Sequence, residues 1–301
     1  MSGRNIAASV KAKLLSIAKE SDKTNELIQL LYSQERLLYR LSISPYRDYF
    51  ILKGGLFLYS VTGFKTRPTR DADFLVKNLS NNENRMIEIF KEICSIEVED
   101  GIQYDIEGIK AETITEDADY HGIRVTITSF LEKSRSQVQL DMGFSDVVVP
   151  NPKDFDYPVF IESELPAPNI RVYSLESVVA EKFEAMIKLS VLNSRMKDFF
   201  DIYNILTTTT IEGRILSEAI KETFEKRLTD IRRDHELFTD EFVDEQKQTQ
   251  WLAFLRRTRL PEVEFSYLMS KLKEFLLPVY NSLLDEDEFF GTWNPETQKW
   301  S

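Results

Sequence analysis

The sequence is poor in the residues that build disulfides, zinc sites and histidine-based catalytic sites. It has one cysteine, Cys94, and two histidines, His121 and His235, in 301 residues. A single thiol excludes a disulfide within the chain and leaves a zinc site without further cysteine ligands, which is typical of a reducing compartment. Neither histidine stands at metal-ligand or catalytic-triad spacing from a partner, so we assign them no role.

Long apolar runs are missing as well. No segment approaches the roughly 20 apolar residues of a membrane span, and the first residues lack the apolar core of a signal peptide. We therefore expect a soluble, cytoplasmic protein with no membrane partner. The sequence also has no P-loop, nucleophile elbow or dinucleotide fingerprint, which excludes the chemistry that those motifs support.

Positive charge is in deficit. The chain has 38 basic and 50 acidic residues, a formal net charge of −12. Broad non-specific binding of nucleic acid relies on a basic surface, so this balance argues against it, although one cleft can still be locally basic. Acidic residues concentrate in 234–245 and 285–288. These runs are typical of solvated surface; the alternative is a docking face for a basic partner.

Hydrophobic periodicity predicts an α+β chain. Apolar spacing indicates two amphipathic helices over 5–42, then a strand, a glycine turn and a helix. Alternating residues predict strands over 102–108, 123–130 and 137–144. Five prolines between 150 and 168 precede a helical half, with predicted helices over 175–192, 195–207, 213–229 and 261–284. We therefore predict one domain over 1–165 and a mostly helical domain over 166–301.

The most informative stretch is a glycine turn followed by two aspartates. Gly54 and Gly55 come after an apolar run, which suits a strand that turns tightly into a helix. Backbone N–H groups at such a turn can bind an anion. Asp71 and Asp73 are two residues apart in a strand-like run, so their carboxylates share a face and can hold one hard cation. Together these features indicate chemistry on a nucleoside triphosphate.

Asp141 is the third candidate carboxylate. It lies in the predicted strand 137–144, and a strand next to that of Asp71 and Asp73 would bring it to the same site. Three carboxylates can hold two Mg²⁺ ions about 3.5–4 Å apart, which clamp the attacking and leaving oxygens of a phosphoryl displacement. An Asp-x-Asp pair alone is most simply a surface pair. The ordered set of glycine pair, aspartate pair and later strand aspartate is more specific than any of its parts.

Two features of the helical half carry further candidates. Lys182 falls in the middle of the apolar stripe of the predicted helix 175–192, whereas Glu184 takes the opposite face. A lysine aimed at the core needs an anionic partner, or must snorkel or lose its proton; alternatively it reaches a cleft and holds a triphosphate. Arg195 and Asp198 are i,i+3 neighbours on the next helix, which a surface ion pair explains and a functional role explains equally.

These motifs resemble the AbiEii/AbiGii toxin family of nucleotidyltransferase-like proteins, which is related to the MenT-type toxins. The matching stretches include ILKGG, RPTRDADF, LDMGFSD, AEKFEAM and RMKDFFD, and FFGTWNPETQKW resembles the tryptophan-bearing tail of that family. The resemblance spans essentially the whole chain. It implies a DNA polymerase β-like nucleotidyltransferase core with a mixed sheet, packed against a helical C-terminal half.

The resemblance also implies residue roles. The glycine pair would cradle the triphosphate, the aspartate pair would bind Mg²⁺, and Lys182 would contact phosphate. Asp141 fits the third acidic position of the wider fold, and Asp198 matches a late aspartate of the family. The predicted catalytic residues are Asp71, Asp73, Asp141, Lys182 and Asp198, of which the first three are the predicted metal ligands. The predicted nucleotide-binding residues are Lys53, Gly54, Gly55, Arg70, Lys182 and Arg195.

Toxins of this family transfer nucleotides to RNA, notably to the 3′ end of tRNA, and are typically encoded beside an antitoxin. We therefore expect Mg²⁺-dependent transfer of NMP from an NTP to an RNA hydroxyl, with tRNA as acceptor and a cognate antitoxin as partner. Three alternatives remain open. The acceptor could be a small molecule or a protein side chain, the Asp-x-Asp pair could serve a metal-dependent glycosyltransferase, or the fold could be a binding module without catalysis.

Overall fold

The structure of the chain is a computed structural model that describes residues 5–21, 23–117, 120–161 and 165–301. The chain forms two compact units. The first comprises Met1–Ser145 and Lys153–Val172, and the second comprises Asp146–Pro152 and Tyr173–Ser301. Within the described ranges, no helix is long and apolar enough to cross a membrane.

The first unit combines helices with one mixed sheet. Its helices are α1 (Ile6–Glu20), α2 (Asn25–Ser42), α3 (Gly54–Val61) and α4 (Glu83–Cys94). Its strands are β1 (Phe50–Lys53), β2 (Asp71–Val76), β3 (Ile102–Tyr104), β4 (Lys110–Asp117), β5 (Tyr120–Leu131), β6 (Ser134–Gly143), β7 (Lys153–Asp156) and β8 (Asn169–Val172). The sheet order is β3-β5-β6-β2-β1-β8-β7, with β4 also paired to β5. The β2–β6 and β1–β8 pairs are parallel, whereas β1–β2 and β5–β6 are antiparallel.

The strands β1 and β2 occupy the middle of the sheet because their sequences are apolar enough to be covered on both faces. Phe50, Ile51 and Leu52 of β1 are all buried, as is the Phe74–Val76 end of β2. Central strands need this composition because both faces are shielded from water. The apolar run before the glycine turn therefore forms the predicted strand, and the turn leads directly into α3.

The helix α2 packs against β6 and β8 and is itself almost entirely buried. It carries Arg40 into the interior, where the guanidinium Nη1 donates to Asp100 Oδ2 at 2.6 Å. A buried charge is tolerated only when it is paired and hydrogen-bonded. The ion pair with Asp100 therefore allows the charged Arg40 to be buried on the side of α2 that faces the core.

Cys94 ends α4 and is buried. Burial raises the pKa of its thiol to about 12, because the thiolate would lose its hydration. The single cysteine is therefore a small core residue and not a reactive group.

The second unit is mainly helical. Its helices are α5 (Leu175–Leu189), α6 (Met196–Thr208), α7 (Gly213–Lys226), α8 (Glu245–Thr258) and α9 (Phe265–Leu284). A small antiparallel sheet joins β9 (Ile211–Glu212), β10 (Thr292–Asn294) and β11 (Lys299–Trp300). The predicted α+β class, with a mixed sheet and a helical C-terminal half, is confirmed.

The tryptophans of the small sheet, Trp293 and Trp300, pack against helices of the second unit. Trp293 is fully buried, and its indole Nε1 donates to the Leu206 carbonyl at 2.7 Å. Trp300 stacks on Phe275 of α9 with ring centroids 5.4 Å apart. The indole N–H groups are satisfied and the rings contribute apolar area, so this segment is part of the core that holds α6 and α9.

The expected position of Glu184 was wrong. The helical wheel of α5 puts it on the face opposite the apolar stripe, but its side chain is 1% exposed. Arg227 Nη1 lies 3.0 Å from Glu184 Oε2, and the same guanidinium contacts Asp146 at 3.0 Å. Arg227, which follows α7, neutralises Glu184. The glutamate can therefore be buried at a position where the sequence of α5 alone predicts exposure to solvent.

Candidate active site

Four neighbouring strands of the first unit carry a row of charged residues. In the strand register, Lys53 of β1 faces Asp73 of β2, Asp73 faces Asp141 of β6, and Asp141 faces Arg124 of β5. Residues that are partners across strands project from the same face of a sheet. Lys53, Asp73, Asp141 and Arg124 therefore form a row across that face, here called the charged row.

Strand alternation explains why the charged row is on this face. Ala72 and Phe74, which flank Asp73, are buried, and so are Leu140 and Met142, which flank Asp141. Alternate residues of a strand point to opposite faces, so burial of these apolar neighbours turns the aspartates the other way. Asp71, two residues before Asp73, shares their face. The structure therefore brings the three predicted carboxylates together on neighbouring strands.

The glycine turn is built around the Asp73 carboxylate. Gly54 has φ +66°, and a Cβ atom at this position would lie 2.1 Å from Asp73 Oδ2. Gly55 is also constrained, since its Cβ would lie 3.1 Å from Thr69. Only glycine combines the left-handed φ with so close an approach. The start of α3 and the carboxylate of Asp73 are consequently in direct contact, as the motif indicated.

Arg124 binds Asp141 through both of its oxygens. The Nε and Nη2 atoms of Arg124 donate to Oδ1 and Oδ2 of Asp141, each at 2.8 Å. Gln139 Nε2 lies 3.4 Å from both oxygens. The pKa of Arg124 is raised, chiefly by the hydrogen bond to Asp141. This fork-to-fork geometry is the strongest form of a carboxylate hydrogen bond, so Arg124 fixes the orientation of Asp141.

Sequence reasoning did not identify Arg124. The signal was present, because Arg124 lies between Ile123 and Val125 in a predicted strand, and both neighbours are buried. Alternation alone therefore puts the guanidinium on the polar face of β5. Its partner depends on the β5–β6 register, which becomes visible only in the folded chain.

The oxygen donors of this face suit Mg²⁺. Within the described ranges, no group of three or more His, Cys, Asp and Glu side chains is arranged to hold a metal ion. Magnesium, however, usually keeps several waters and uses one or two protein carboxylates together with substrate phosphates. Asp71 and Asp73 could supply such a pair, and both oxygens of Asp141 accept hydrogen bonds from Arg124. The metal-ligand roles of Asp71, Asp73 and Asp141 stay predictions.

Arg70 and Lys53 lie at the edges of this region. Arg70 precedes β2, and its exposed guanidinium contacts Glu26 at 3.3 Å. Its carbonyl accepts a hydrogen bond from Gln34 at 2.7 Å. Lys53 ends β1 in register with Asp73. The predicted nucleotide-binding roles of both residues stay predictions.

In the second unit, Lys182 is held by two buried carboxylates. Its Nζ lies 2.7 Å from Asp198 Oδ1 and 2.8 Å from Asp201 Oδ2. Arg195 Nε contacts the other oxygen of Asp198 at 2.7 Å. We call these four residues the lysine cluster. A lysine on an apolar stripe needs an anionic partner unless it snorkels or loses its proton. Lys182 has two such partners, Asp198 and Asp201.

The lysine cluster controls the ionisation of Asp198. Burial opposes the charged carboxylate, but the positive charges of Lys182 and Arg195 outweigh burial, so the pKa of Asp198 is lowered. Arg195 itself is half exposed. Asp201 had no role in the sequence analysis, although its i,i+3 spacing from Asp198 puts both carboxylates on one side of α6.

A buried lysine from α8 fixes the segment that leads to Arg195. Lys247 Nζ donates to the carbonyls of Val191 at 2.7 Å and Asn193 at 2.5 Å. The Asn193 side chain in turn accepts a hydrogen bond from the Arg195 N–H at 2.8 Å. Burial lowers the pKa of Lys247. The connection between α5 and α6 is therefore anchored by its backbone, and Arg195 starts α6 from a fixed position.

We expect Asp198→Ala to destabilise the second unit by about 3–5 kcal/mol at pH 7, because it leaves two cations with one buried carboxylate. The pKa of Asp198 is lowered from its ordinary value of 3.8, so its stabilising contribution is present above that value and lost as pH falls through the lowered pKa. Urea unfolding at neutral and acid pH should show the difference between wild type and variant shrinking with acidity. Asp230→Ala, at an exposed carboxylate, is the control; an undiminished difference at acid pH would contradict the prediction.

Comparison with known proteins identifies the family. The family described as "Nucleotidyl transferase AbiEii toxin, Type IV TA system" matches residues 36–271. A search of curated proteins finds no match. The family match covers most of the chain and includes the glycine turn, all four strands of the charged row, and the lysine cluster.

Three solved structures are similar at low identity. MenT4, the nucleotidyltransferase toxin Rv2826c from Mycobacterium tuberculosis H37Rv, is 14% identical with a TM-score of 0.49, covering 94% of this chain and 99% of that one. JHP933 from Helicobacter pylori is 14% identical with a TM-score of 0.46, covering 86% and 94%. A proposed nucleotidyltransferase from H. pylori is 14% identical with a TM-score of 0.47, covering 86% and 97%. We draw the family from the sequence match alone: the chain belongs to the AbiEii nucleotidyltransferase family, the toxins of type IV toxin–antitoxin systems.

Proposed function

We propose that this chain transfers a nucleoside monophosphate from an NTP to an acceptor hydroxyl, and that the acceptor is RNA, in particular the 3′ end of tRNA. The observation that supports the proposal most directly is the contact between Asp73 and Gly54 at the start of α3. It brings a carboxylate suited to a cation next to backbone amides suited to phosphate. Membership of the AbiEii family supports the nucleotidyl transfer, and the RNA acceptor follows the resemblance to toxins of that family.

In this mechanism Asp71 and Asp73 would hold Mg²⁺, which would neutralise phosphate charge when bound. The amides at the start of α3 would orient the triphosphate, because the positive end of a helix favours an anion. The acceptor oxygen forms a bond to the α-phosphorus, the bond to the β-phosphate oxygen breaks, and pyrophosphate leaves. The acceptor proton passes to solvent or to a carboxylate of the charged row.

The phosphate-binding roles of Lys182 and Arg195 are carried over from the resemblance to the family. The Nε atom of Arg195 is bound to Asp198, and the half-exposed guanidinium extends beyond that contact. Lys182 would act with it as the predicted phosphate ligand. Asp198 and Asp201 would then keep the ammonium charged and positioned, which is a supporting role and not a direct contact with the reacting atoms.

The Arg124–Asp141 pair provides a test of what Asp141 does. Arg124→Lys keeps the charge but not the two parallel hydrogen bonds, so we expect kcat/KM to fall by about 10–100-fold, the range for hydrogen bonds to charged groups. If Asp141 and Arg124 act only as one hydrogen-bonded unit, Asp141→Asn costs a similar factor and the double variant costs little more. If Asp141 binds metal, Asp141→Asn alone costs more than Arg124→Lys and raises the Mg²⁺ concentration needed for half-maximal rate.

The proposed function is tested by incubating the purified chain with Mg²⁺, each α-³²P-labelled NTP in turn, and total tRNA. We expect label to enter tRNA with the wild-type chain and not with Asp71→Ala. The NTP that supplies the label identifies the preferred base. Digestion from the 3′ end then shows whether the nucleotide was added there.

The alternatives give different results in the same assay. Label absent from RNA, with Mg²⁺-NTP binding intact, would contradict the RNA acceptor and favour a small-molecule or protein acceptor. Turnover of a nucleotide sugar with the same Asp71 dependence would instead support a glycosyltransferase. Absence of any NTP binding would contradict the enzyme and favour a binding module.

A cognate antitoxin follows from the family, whose members are toxins of type IV toxin–antitoxin systems. We expect expression of the wild-type chain to arrest growth, and co-expression of the neighbouring antitoxin gene to restore it. Asp71→Ala should not arrest growth. Growth arrest that is unchanged in Asp71→Ala would separate toxicity from nucleotidyl transfer.

A further inference from the structure

An open groove lies beside α7 in the second unit. The volume of the groove is 1140 Å³. One side is formed by α7 and the segment after it, and the other side by the segment that follows α9. Part of its lining is apolar, including Leu228, Ile231, Leu283 and Phe289. Leu228 is 90% exposed and has φ +52°, so the turn after α7 holds this leucine in solvent. An apolar side chain in that position is available to a partner.

The rim of the groove is acidic. Its lining contains six acidic residues against two basic ones, Arg214 and Lys221, a net charge of −4. The acidic residues are Glu218, Glu225, Asp230, Glu286, Asp287 and Glu288. No salt bridge occupies any of these six carboxylates within the part of the chain that the structure describes. A lining that contains both apolar and acidic side chains fits a segment that combines an apolar side chain with arginine or lysine.

The same unit presents a segment of that kind at the end of α8. Leu252 and Arg256 are spaced i and i+4 on one exposed face of α8, and Arg257 is exposed beside them. The exposed Arg259 follows as the left-handed C-cap of the helix. Leu252 is 47% exposed. We call these four residues the α8 stripe. Its charge of +3 next to one leucine is complementary to the groove in both charge and polarity.

Several exposed arginines of the chain have carboxylate partners: Arg70 with Glu26 at 3.3 Å, Arg85 with Glu88 at 3.1 Å, and Arg232 with Glu236 at 2.5 Å. Among the described residues, by contrast, no salt bridge is made by the three arginines of the α8 stripe. Two complementary charged surfaces are therefore both left unneutralised on one unit.

We propose that the groove beside α7 receives the α8 stripe of a second copy of this chain. Leu252 would meet the leucine and phenylalanine side chains of the groove, and the arginines would meet its acidic rim. Because groove and stripe are different surfaces, the contact is heterologous: it gives a dimer where a two-fold axis lets both copies exchange stripes, and a longer assembly where it does not. This self-association is independent of the nucleotidyl transfer proposed above.

The test is sedimentation velocity of the full chain from about 1 to 100 µM, in about 50 mM and about 500 mM salt, a range over which charge screening grows strongly. We expect the mean sedimentation coefficient to rise with concentration at low salt and to rise much less at high salt. The groove variant carries Glu286→Lys and Glu288→Lys, and the stripe variant carries Arg256→Glu and Arg257→Glu. Each should weaken association at least about tenfold, because each removes the charge complementarity between groove and stripe.

Mixing the two variants gives the decisive comparison. The stripe variant keeps the acidic groove and the groove variant keeps the arginines, so one wild-type contact can form between the two variants. An equimolar mixture should therefore associate although neither variant does so alone. The variant with Glu222→Lys and Glu262→Lys, two exposed acidic residues outside the groove lining, has the same charge change as the groove variant and should associate like wild type.

Three outcomes would overturn the proposal. They are a wild-type chain that stays monomeric at every concentration in low salt, association that survives both charge reversals, and a mixture of the two variants that remains monomeric. Circular dichroism of each variant checks that the fold is intact. A monomeric wild type combined with reduced tRNA labelling by the stripe variant would assign the α8 stripe to nucleic acid.

Discussion

Replacing Asp73 by asparagine should lower the rate of nucleotide transfer by at least about 10²–10³-fold, the loss typical of one preorganised electrostatic contact in an active site. The asparagine side chain would keep the shape of the aspartate against Gly54 but not its negative charge. The same result is expected for Asp71→Asn, because the two carboxylates share a face and would hold the same cation. Initial rates with saturating NTP and acceptor measure the effect.

The fold should not change in these two variants. Both aspartates lie on the polar face of β2, and the core of that strand is provided by Ala72 and the Phe74–Val76 run on its buried positions. Thermal unfolding midpoints should therefore stay within a few degrees of wild type, since substitutions away from core features usually change stability by about 0.5 kcal/mol or less. Titration calorimetry with Mg²⁺ should show weaker binding in each variant.

Asp154→Asn is a matched control. Asp154 lies in the same sheet, on β7, and pairs with Arg47 and Arg171 on an exposed surface. An exposed ion pair contributes about 0–1 kcal/mol, so the variant should fold and transfer nucleotides at the wild-type rate. Near-native turnover of Asp71→Asn or Asp73→Asn would show that the catalytic assignment is wrong.

Gly54→Ala should lower the transfer rate by about 10²-fold, the effect expected when a reacting group is displaced by about 1 Å. A Cβ at residue 54 would overlap the Asp73 carboxylate, so either this side chain or the start of α3 must move. The left-handed φ adds a conformational cost of about 1–2 kcal/mol for any residue with a Cβ. Both effects act at the contact on which the proposed function depends.

Gly63→Ala separates these two effects. Gly63 also has a left-handed φ, +60°, but a Cβ there would meet nothing within 4 Å. Gly63→Ala should therefore lose only the stability that the left-handed φ costs in chemical denaturation, whereas Gly54→Ala should lose more stability and should alone lose activity. Equal activity of the two variants would show that the close approach of Asp73 to Gly54 is unimportant for the reaction.

The sequence was sufficient to predict the strands of the candidate site. Alternation and apolar runs indicated the strands that became β2 and β6, and adjacency of those strands was the stated condition for bringing Asp141 to Asp73. The register that makes Asp73 the direct partner of Asp141 joins residues far apart in the chain. Local periodicity carries no information on such pairing. It could therefore not predict that Arg124 is the partner of Asp141.

The parts of the fold that sequence reasoning missed are short or polar. The helix α8 was not among the predicted helices. Its buried side chains are Trp251, Phe254, Leu255 and the charged Lys247, so its apolar face is short. Its stability comes from tertiary packing more than from its own periodicity. The strands β9 and β11 have two residues each, which is too short for alternation to be visible.

Buried charges account for the remaining differences. Glu184 is an ordinary surface residue type, yet Arg227 holds it in the interior of the second unit. The largely buried position of Lys182, by contrast, agrees with the apolar stripe on which the helical wheel placed it. A helical wheel ranks positions by polarity and assumes that charge means solvent. It fails where another element supplies the counter-charge, and such positions are enriched near functional sites.

The buried thiol of Cys94 makes the natural chain a convenient background for site-specific labelling. At pH 8 a thiol with a pKa of about 12 is ionised on the order of 10³-fold less than an exposed cysteine of ordinary pKa, and only the thiolate reacts with maleimides. A cysteine introduced at Leu228 would thus take up a fluorophore almost exclusively, with no need to remove Cys94 from the core. Fluorescence from that dye would then report occupancy of the groove beside α7 in real time.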